Sequence, residues 1–353
     1  MSAMRIGMFT TSLPEPDRKP GGVDILIDRL ANNLVAFGHQ VTVFTYSPAP
    51  PDAAYRVRQL EPADWRHRKV SRMFKVPLAL NPLDVSGLDV LHLHGDDWFY
   101  VRRRVPTVRT FYGSALNELR TATRWRRRGS QAMVFAFELL SARLATATYG
   151  LIPGDGRWYR TRGSLGCGVD PVVRPAQRAR EPTVLFVGTW SGRKRGRELA
   201  AAFERHVLPS SPAAKLVMAS DEAPDLPWIE HLARPTDDEL RRRFAEAWLF
   251  CLPSSYEGFG IPYLEAMAAG TPVVATPNPG ANYLLRDGVD GVITEPDALG
   301  PTLRDLLADE ERRGELGEAG RRRAAAFSWR AICDAHIAAY EEAIARARGR
   351  RAA

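Results

Sequence analysis

The residues with the clearest potential for chemistry lie in one segment, 255–265, which reads Ser-Tyr-Glu-Gly-Phe-Gly-Ile-Pro-Tyr-Leu-Glu. Two carboxylates, Glu257 before a glycine-rich turn and Glu265 in the first turn of a predicted helix, flank a stretch of exposed backbone. Pro262 suits a first helical position, so the N–H groups of residues 258–261 would be unpaired and directed at a ligand. Such a turn attracts phosphate, and the carboxylates can bind hydroxyl groups on either side of it. A nucleotide sugar carries hydroxyls and phosphate in this order.

Each carboxylate alone also has a structural interpretation. Glu257 fits a surface loop, and Glu265 fits a first-turn carboxylate stabilised by the helix dipole. Their joint placement with the glycines and with residues 266–275 favours the functional interpretation. That following run predicts a short helix closed by Gly270 and a buried strand after it.

Cations and glycines follow the first predicted strand of each half of the chain. Arg193 and Lys194 lie on a loop after the strand at 183–188, where a guanidinium fork and an ammonium point charge suit a diphosphate. A solvated basic turn fits equally well. Gly21 and Gly22 follow the strand at 5–10, where they either bring backbone close to a ligand or form a tight turn.

Two histidines, His92 and His94, share one face at the end of a predicted strand. Three interpretations stay open: a metal site with Asp96 and Asp97, the lining of a substrate cleft, or ordinary packing. No Asp-x-Asp pair occurs in the sequence, so no metal ion bridging a diphosphate is predicted. The sequence also lacks a Gly-x-Ser-x-Gly elbow, a Walker loop and a Gly-x-Gly-x-x-Gly after the first strand, which disfavours hydrolase, NTPase and dehydrogenase functions.

The chain has 353 residues, enough for two domains, and 45% of its residues are hydrophobic, enough for two cores. It contains no apolar run near the roughly 18–20 residues of a membrane span. Met1–Met8 predicts a strand rather than a leader, so a cytoplasmic protein is expected. The three cysteines, Cys167, Cys251 and Cys333, are far apart and predict buried, reduced thiols.

The net charge is +8, but its distribution argues against a nucleic-acid partner. Only five of the 49 basic residues are lysines, and the arginine triplets are scattered, which is typical of solvated faces. The cluster Arg102–Arg128 is the exception, because it can attract an anionic acceptor or an anionic membrane surface.

Strand and helix patterns alternate along both halves, which predicts parallel sheets wrapped by helices. The predicted strands of the first half are 5–10, 41–46, 88–93, 107–112 and 146–152, and those of the second are 183–188, 215–219, 249–253, 272–275 and 291–294. A loose Gly-, Pro- and Arg-rich linker lies around 163–182. We expect domains at 1–175 and 176–327, followed by a C-terminal helix at 328–353. Ligands bind at the carboxyl ends of strands in such sheets, so a cleft between the domains is expected.

These motifs resemble the retaining glycosyltransferases of family 4, which have the α/β architecture called GT-B, two Rossmann-like domains facing across a cleft. The resemblance spans nearly the whole chain. Its most specific element is the glutamate pair Glu257 and Glu265, followed by Gly-Thr-Pro-Val-Val-Ala at 270–275. Further landmarks are Gly-Cys-Gly-Val-Asp at 166–170 and Arg-Asp-Gly-Val-Asp-Gly at 286–291.

The resemblance implies that Glu265 binds ribose hydroxyls, Glu257 faces the transferred sugar, and Lys194 with Arg193 holds the diphosphate as leaving group. The remaining donor-binding residues implied are Gly21, Gly22, Tyr112, Gly258, Phe259, Gly260 and Ile261. The expected reaction moves a glycosyl group from a nucleoside diphosphate sugar to a hydroxyl of a small or lipid-linked acceptor, without a cofactor or a required metal ion. Antibiotic tailoring or cell-envelope assembly is the expected context, and the last helix is expected to pack on the first domain.

Three positions depart from the family pattern. Thr189 stands where an arginine is usual, Tyr112 where a histidine is common, and Tyr283 where a glutamate is usual. These changes keep two alternatives open: a nucleotide-sugar epimerase or hydrolase of the same architecture, and a silent nucleotide-sugar-binding module. The sequence leaves the base, the sugar, the acceptor and the oligomeric state open.

Overall fold

The computed structural model describes residues 3–15, 21–113, 115–116, 119, 125–154, 157–170 and 178–352. The chain divides into two compact units. Unit 1 comprises Met1–Gly168 and Trp329–Ala353, and unit 2 comprises Val169–Ser328. The domain boundary predicted at residue 175 lies outside the described residues. The C-terminal helix belongs to unit 1.

Unit 1 is built on a parallel sheet with the strand order β3-β2-β1-β4-β5-β6. Its strands are β1 (Arg5–Phe9), β2 (Gln40–Thr45), β3 (Arg56–Gln59), β4 (Val90–Leu93), β5 (Thr107–Phe111) and β6 (Ala147–Gly150). Its helices are α1 (Gly22–Ala36), α2 (Val76–Ala79), α3 (Trp125–Leu144) and, from the chain end, α10 (Trp329–Ala352). The last of these packs on α1 and on β4, β5 and β6.

Unit 2 repeats the same topology, with the strand order β12-β11-β10-β7-β8-β9. Its strands are β7 (Thr183–Val187), β8 (Lys215–Ala219), β9 (Ile229–Leu232), β10 (Leu249–Leu252), β11 (Val273–Ala275) and β12 (Val292–Ile293). Its helices are α4 (Gly196–His206), α5 (Asp237–Glu246), α6 (Ile261–Ala268), α7 (Pro279–Leu284), α8 (Leu299–Ala308) and α9 (Glu310–Ala324). In both units the strand order reverses beside the first strand, and open parallel sheets bind ligands at that point.

Apolar strands form the centre of both sheets, as the sequence predicted. All residues of β4, β5 and β10 are buried, because helices cover both faces of a parallel sheet. Two edge strands, β3 and β9, were missed by the sequence prediction. The three cysteines are unpaired and buried, which confirms their prediction. Among the described residues, no helix combines the length and the apolar character needed to cross a membrane.

Candidate functional site

The predicted cationic loop and the glutamate loop meet at the point in unit 2 where the strand order reverses. Arg193 and Lys194 follow β7, Glu257 follows β10, and these two strands are neighbours in the sheet. Parallel strands deliver their carboxyl ends to one edge, so loops 63 or 64 residues apart in sequence come together.

One carboxylate oxygen joins the three side chains. Oε1 of Glu257 lies 2.8 Å from Nη1 of Arg193 and 2.8 Å from Nζ of Lys194. Arg193 also donates to the carbonyl of Tyr256 at 2.7 Å, and its own carbonyl accepts from the amide of Ser255 at 2.9 Å. The two loops are therefore fastened by both backbone and side-chain bonds, and two cations share one anion.

The burial of this cluster is uneven. The Glu257 side chain is 7% exposed and that of Lys194 is 15% exposed, whereas that of Arg193 is 54% exposed. Burial lowers the pKa of Lys194 below its ordinary value, an effect opposed by the charge and hydrogen bond of Glu257 and reinforced by nearby Arg193. The ammonium group thus depends on an anionic partner for part of its charge stability.

The backbone of the cationic loop requires special conformations. Gly192 has φ 85° and begins a short 3-10 turn, and Arg195 at its end has φ 57° and caps α4. A Cβ at Gly188 would lie 2.7 Å from Cζ of Phe186 and 3.1 Å from Cβ of Lys194. The glycine after β7 therefore lets the loop fold back closely over the strand end.

The glycine-rich turn leads into α6 as predicted, with a shift of one position. The helix begins at Ile261, so Pro262 occupies its second position rather than its first. Gly260 precedes it with φ 90°, and a Cβ there would lie 2.3 Å from Cδ2 of Tyr263. Glu265 is the fifth residue of the helix. The prediction that it lies in the first turn is therefore wrong, because residues 261–264 form that turn. Glu265 is half-buried.

A buried polar network that the sequence did not reveal supports this turn. Asn278 donates to the carbonyls of Ser254 at 3.2 Å and Thr276 at 2.8 Å, and to the hydroxyl of Tyr263 at 3.1 Å. Gly280 packs so closely that an added Cβ would lie 2.4 Å from the carbonyl oxygen of Phe259. Its amide donates to the carbonyl of Glu257 at 2.9 Å. The start of α7 therefore fixes the backbone that presents Glu257.

In unit 1, Gly21 and Gly22 lie at the start of α1, but the Gly21 amide is not free. It donates to Oδ2 of Asp24 at 3.1 Å, and Ser12 donates to Oδ1 of the same carboxylate at 3.0 Å. The Gly21 N–H is therefore already satisfied by a side chain of its own helix. The spacing from Gly21 to Asp24 is that of a capping box, a signal the sequence contained. Lys19 and Pro20 of this loop lie outside the described residues.

Tyr112 follows β5 directly and bonds to a histidine. Its hydroxyl and Nδ1 of His94 form a hydrogen bond, and burial raises the pKa of Tyr112. The rings of His94 and His92 are tilted by 40° with their centroids 3.9 Å apart, and Nε2 of His94 is buried with no hydrogen-bond partner within the described residues. His92 binds the hydroxyls of Thr110 and Tyr340, both at 2.8 Å. The histidine pair is thus held by β5 and α10.

The two aspartates that a metal site with these histidines would need are both paired with arginines. Asp96 pairs with Arg72 at 2.6 Å, and Asp97 pairs with Arg103 at 3.1 Å and Arg109 at 2.8 Å. In the part of the chain that the structure describes, no group of three or more His, Cys, Asp or Glu side chains is arranged as a metal site. The geometry favours packing or the lining of a ligand site.

The family departures have local structural explanations. Thr189 bonds its hydroxyl to the carbonyl of Ser191 at 2.9 Å and so supports the cationic loop. Tyr283 packs its ring against Phe259 and Phe327, with centroids 5.9 and 6.0 Å away. Tyr283 therefore packs against the glycine-rich turn through Phe259, where the usual glutamate would provide a carboxylate.

Comparison with known proteins gives two family matches that together cover most of the chain. Residues 173–323 match the family described as glycosyl transferases group 1. Residues 20–149 match glycosyltransferase family 4. The chain belongs to the family 4 glycosyltransferases. The first match falls within unit 2 and the second within unit 1.

Curated relatives match this family 4 chain over part of their length. A stretch of 117 residues is 42% identical to MMP alpha-(1->4)-mannosyltransferase of Mycolicibacterium hassiacum, covering 31% of this chain and 28% of the relative. A stretch of 187 residues is 28% identical to O-antigen chain mannosyltransferase B of Escherichia coli, covering 48% of this chain and 49% of the relative. The chain thus matches less than half of the length of these relatives.

Solved structures confirm the GT-B fold. Sucrose-phosphate synthase of Thermosynechococcus elongatus has a TM-score of 0.78 at 21% identity, with 97% of this chain and 99% of that chain covered. Anabaena HepE, solved with UDP and glucose, has a TM-score of 0.71 at 16% identity, with 95% and 98% covered.

Proposed function

We propose that this chain transfers a glycosyl group from a nucleoside diphosphate sugar to an acceptor hydroxyl, with retention of configuration at the anomeric carbon. The observation that carries the proposal is the cluster of Arg193, Lys194 and Glu257 where the strand order of unit 2 reverses. Two cations lie within 2.8 Å of one carboxylate oxygen there, at the edge where such sheets bind ligands. Family membership supports the same assignment.

Arg193 and Lys194 are proposed to bind the diphosphate. Their donors already converge on one anionic atom, so phosphate oxygens entering beside Glu257 meet a preformed cationic pair. In the transfer step these cations would stabilise the charge that develops on the leaving diphosphate. The two side chains would supply this stabilisation without a required metal ion or cofactor.

The carboxylates and the glycine-rich turn are proposed to bind the rest of the donor. Gly258, Phe259, Gly260 and Ile261 form the turn before α6, and Glu265 lies one helical turn further on, where it would bind ribose hydroxyls. Glu257 would face the transferred sugar. In unit 1, Gly21 and Gly22 lie at the start of α1 and Tyr112 follows β5 directly, and we assign these residues to the sugar and acceptor side.

The proposed step exchanges one bond at the anomeric carbon. The bond from this carbon to the diphosphate oxygen breaks, and the acceptor oxygen forms a new bond on the same face. The acceptor proton passes to the departing phosphate oxygen. Arg193 and Lys194 hold that phosphate throughout, so the acceptor need not lose its proton to a separate base.

The relatives include proteins named as mannosyltransferases and as D-inositol 3-phosphate glycosyltransferases. On this basis we propose a small or lipid-linked polyol acceptor, in antibiotic or cell-envelope biosynthesis. Thermal-shift measurements with UDP, GDP, dTDP and ADP would identify the base, because a ligand at about 100 times its dissociation constant adds roughly 2.7 kcal/mol.

The proposal is tested by separating binding from transfer. Glu257→Ala should abolish transfer while nucleotide binding stays measurable, and Lys194→Met should weaken both by about 100-fold because it removes a charged phosphate donor. Lys215→Met, at the exposed start of β8, is the matched control and should change neither.

Undiminished transfer by Glu257→Ala would refute the assignment. Donor consumption by the wild type without any acceptor would indicate an epimerase or hydrolase instead. Nucleotide binding without turnover of any donor and acceptor pair would indicate a binding module.

A further inference from the structure

An exposed apolar stripe runs along one short helical segment of unit 1. Residues 69–79 are helical, with a π-helical turn at Ser71–Lys75 that continues into α2. Val70, Phe74 and Leu78 recur every four residues on its outer side and are 69%, 39% and 55% exposed. Their partners on the inner side, including Val76 and Leu80, are fully buried. The segment is therefore anchored in the core while it presents a second apolar side to the exterior.

Two neighbouring segments extend this stripe. Phe74 lies 6.1 Å from Phe99 and 6.0 Å from Phe137 of α3, measured between ring centroids. Asn81 accepts from the amides of Val101 and Arg102, both at 3.0 Å, and so ties the loop after Phe99 to the end of α2.

The apolar side chains of this surface remain accessible. Val101 is 62% exposed, and Met133 and Leu140, one turn before and after Phe137 on α3, are 39% and 37% exposed. We name this surface the basic apolar face, comprising Val70, Phe74, Leu78, Val101, Met133 and Leu140 with the cations around them.

These segments carry a large excess of positive charge. Residues 65–80, 98–104 and 125–144 contain twelve Lys or Arg and one carboxylate, Glu138. Over the whole chain the ratio is 49 to 41, so the excess is concentrated here. The exposed cations around the stripe are Lys69, Lys75, Arg102, Arg104, Arg128 and Arg143.

Some cations near this surface already form ion pairs with aspartates of the chain. Arg68 and Arg72 pair with Asp64 and Asp96. Arg103 and Arg109 are buried against Asp97, so these two members of the cluster predicted at 102–128 do not contribute to the face.

We propose that the basic apolar face seats unit 1 on the surface of an anionic lipid bilayer. The combination of exposed Val, Phe, Leu and Met with surrounding Lys and Arg is the pattern by which a helix lies in the interface, apolar side chains among acyl chains and cations at the headgroups. Charge complementarity selects the anionic bilayer over a neutral one. Long Lys and Arg stems allow their charges to stay at headgroup level while the stripe inserts.

The first test is co-sedimentation of the full chain with vesicles of phosphatidylcholine alone and with about one third phosphatidylglycerol. Binding is expected only to the anionic vesicles and should weaken as salt rises, because surface charges are screened. Lys69→Glu with Arg102→Glu should lower the partition coefficient at least about ten-fold. Arg242→Glu with Arg322→Glu, exposed arginines of α5 and α9, applies the same charge change elsewhere and should have a much smaller effect.

The second test reports on the stripe itself. Val70→Ser with Leu78→Ser should reduce binding about ten-fold, and Val289→Ser, at a side chain 50% exposed in unit 2, is the control. An environment-sensitive fluorophore on Leu78→Cys should shift to the blue with anionic vesicles, whereas the same label on Val289→Cys should not.

Three results would overturn the proposal. The first is absent or equal binding to the two kinds of vesicle, and the second is an equal loss in the Arg242 and Arg322 control. The third is a dimer in sedimentation velocity that Val70→Ser with Leu78→Ser converts to monomer, which would make this face a contact between copies.

Discussion

At the scale of single residues, Oε1 of Glu257 already contacts both cations of the proposed diphosphate site. Both Arg193 and Lys194 are 2.8 Å from it, so the carboxylate neutralises the cations that the proposed diphosphate requires. A phosphate that enters must compete with this internal anion or share its donors. Glu257 is therefore expected to weaken nucleotide binding while it serves the transfer.

We predict that Glu257→Gln tightens nucleoside diphosphate binding by about ten-fold, because the amide keeps the shape but releases both cations. Isothermal titration with the preferred nucleotide measures the change. Glu198→Gln, which removes an exposed carboxylate from the first turn of α4, is the control and should have little effect. Weaker binding by Glu257→Gln would show that Glu257 positions the cations rather than competes for them.

The sequence identified the residues of this cluster but not their contacts. The residue types at 193, 194 and 257 indicated phosphate chemistry, yet nothing in one sequence shows that a carboxylate 64 positions from Arg193 pairs with both cations. The amide of Gly21 is a similar case, since its partner Asp24 was visible only as a capping spacing. The support of Asn278 was invisible, because its partners are backbone carbonyls and the hydroxyl of a buried tyrosine.

At the scale of elements, the turn before α6 is defined by one glycine. Gly260 has φ 90° and leaves no space for a side chain beside Tyr263. Tyr263 cannot move aside, because its hydroxyl donates to the carbonyl of Leu252 at 2.9 Å and accepts from Asn278. The turn conformation is thus coupled to the end of β10, and Glu257 follows the last residue of that strand by five positions.

We predict that Gly260→Ala destabilises unit 2 by about 3 kcal/mol, combining left-handed backbone strain with overpacking. Gly314→Ala should stabilise by about 1 kcal/mol, because Gly314 lies within α9 with nothing within 4 Å of the added Cβ. Urea denaturation of both variants measures the difference. Equal stability of Gly260→Ala and wild type would show that the turn rearranges at little cost.

The elements that sequence patterns missed share a physical cause. The edge strands β3 and β9 read Arg-Val-Arg-Gln and Ile-Glu-His-Leu and contain no fully buried residue, so no apolar run marks them. The segment 69–79 was missed because its apolar residues lie on two opposite sides, one facing the core and one facing outward. Central strands were predictable because both of their faces are covered.

At the scale of the whole molecule, unit 1 is discontinuous and is completed by the last helix of the chain. Residues of α10 reach its sheet through His336 and Tyr340, both buried. The ring of His336 lies 5.7 Å from that of His92, between centroids, and Nδ1 of His336 bonds the carbonyl of Ile332 at 2.8 Å. Three buried histidines therefore lie together between α10 and the sheet.

We predict that acid destabilises unit 1 through this cluster. Burial lowers the pKa of His336 to about 4 and lowers the pKa values of His92 and His94 well below their ordinary range. In the unfolded chain these histidines bind protons as pH falls through about 6.5, whereas in the folded chain they do so only at lower pH. The stability that the neutral cluster contributes is therefore fully present above pH 6.5 and is lost as pH falls toward 4.

Urea titrations between pH 7.5 and 4.5 test this dependence. His336→Gln should reduce the slope of the unfolding free energy against pH by about 1.4 kcal/mol per pH unit below 6.5, because one titrating group is removed. Parallel curves for variant and wild type would contradict the prediction.

The connectivity of the two units also sets an order of events at the ribosome. Residues 169–328 form unit 2 without interruption, whereas residues 1–168 emerge first but still lack α10. At translation rates of about 5–20 residues per second, the nascent sheet of unit 1 waits roughly 10–30 s for the helix that covers β4, β5 and β6. Unit 1 is therefore begun before unit 2 and completed after it, and a chain that stops at Ser328 would leave that side of the sheet uncovered.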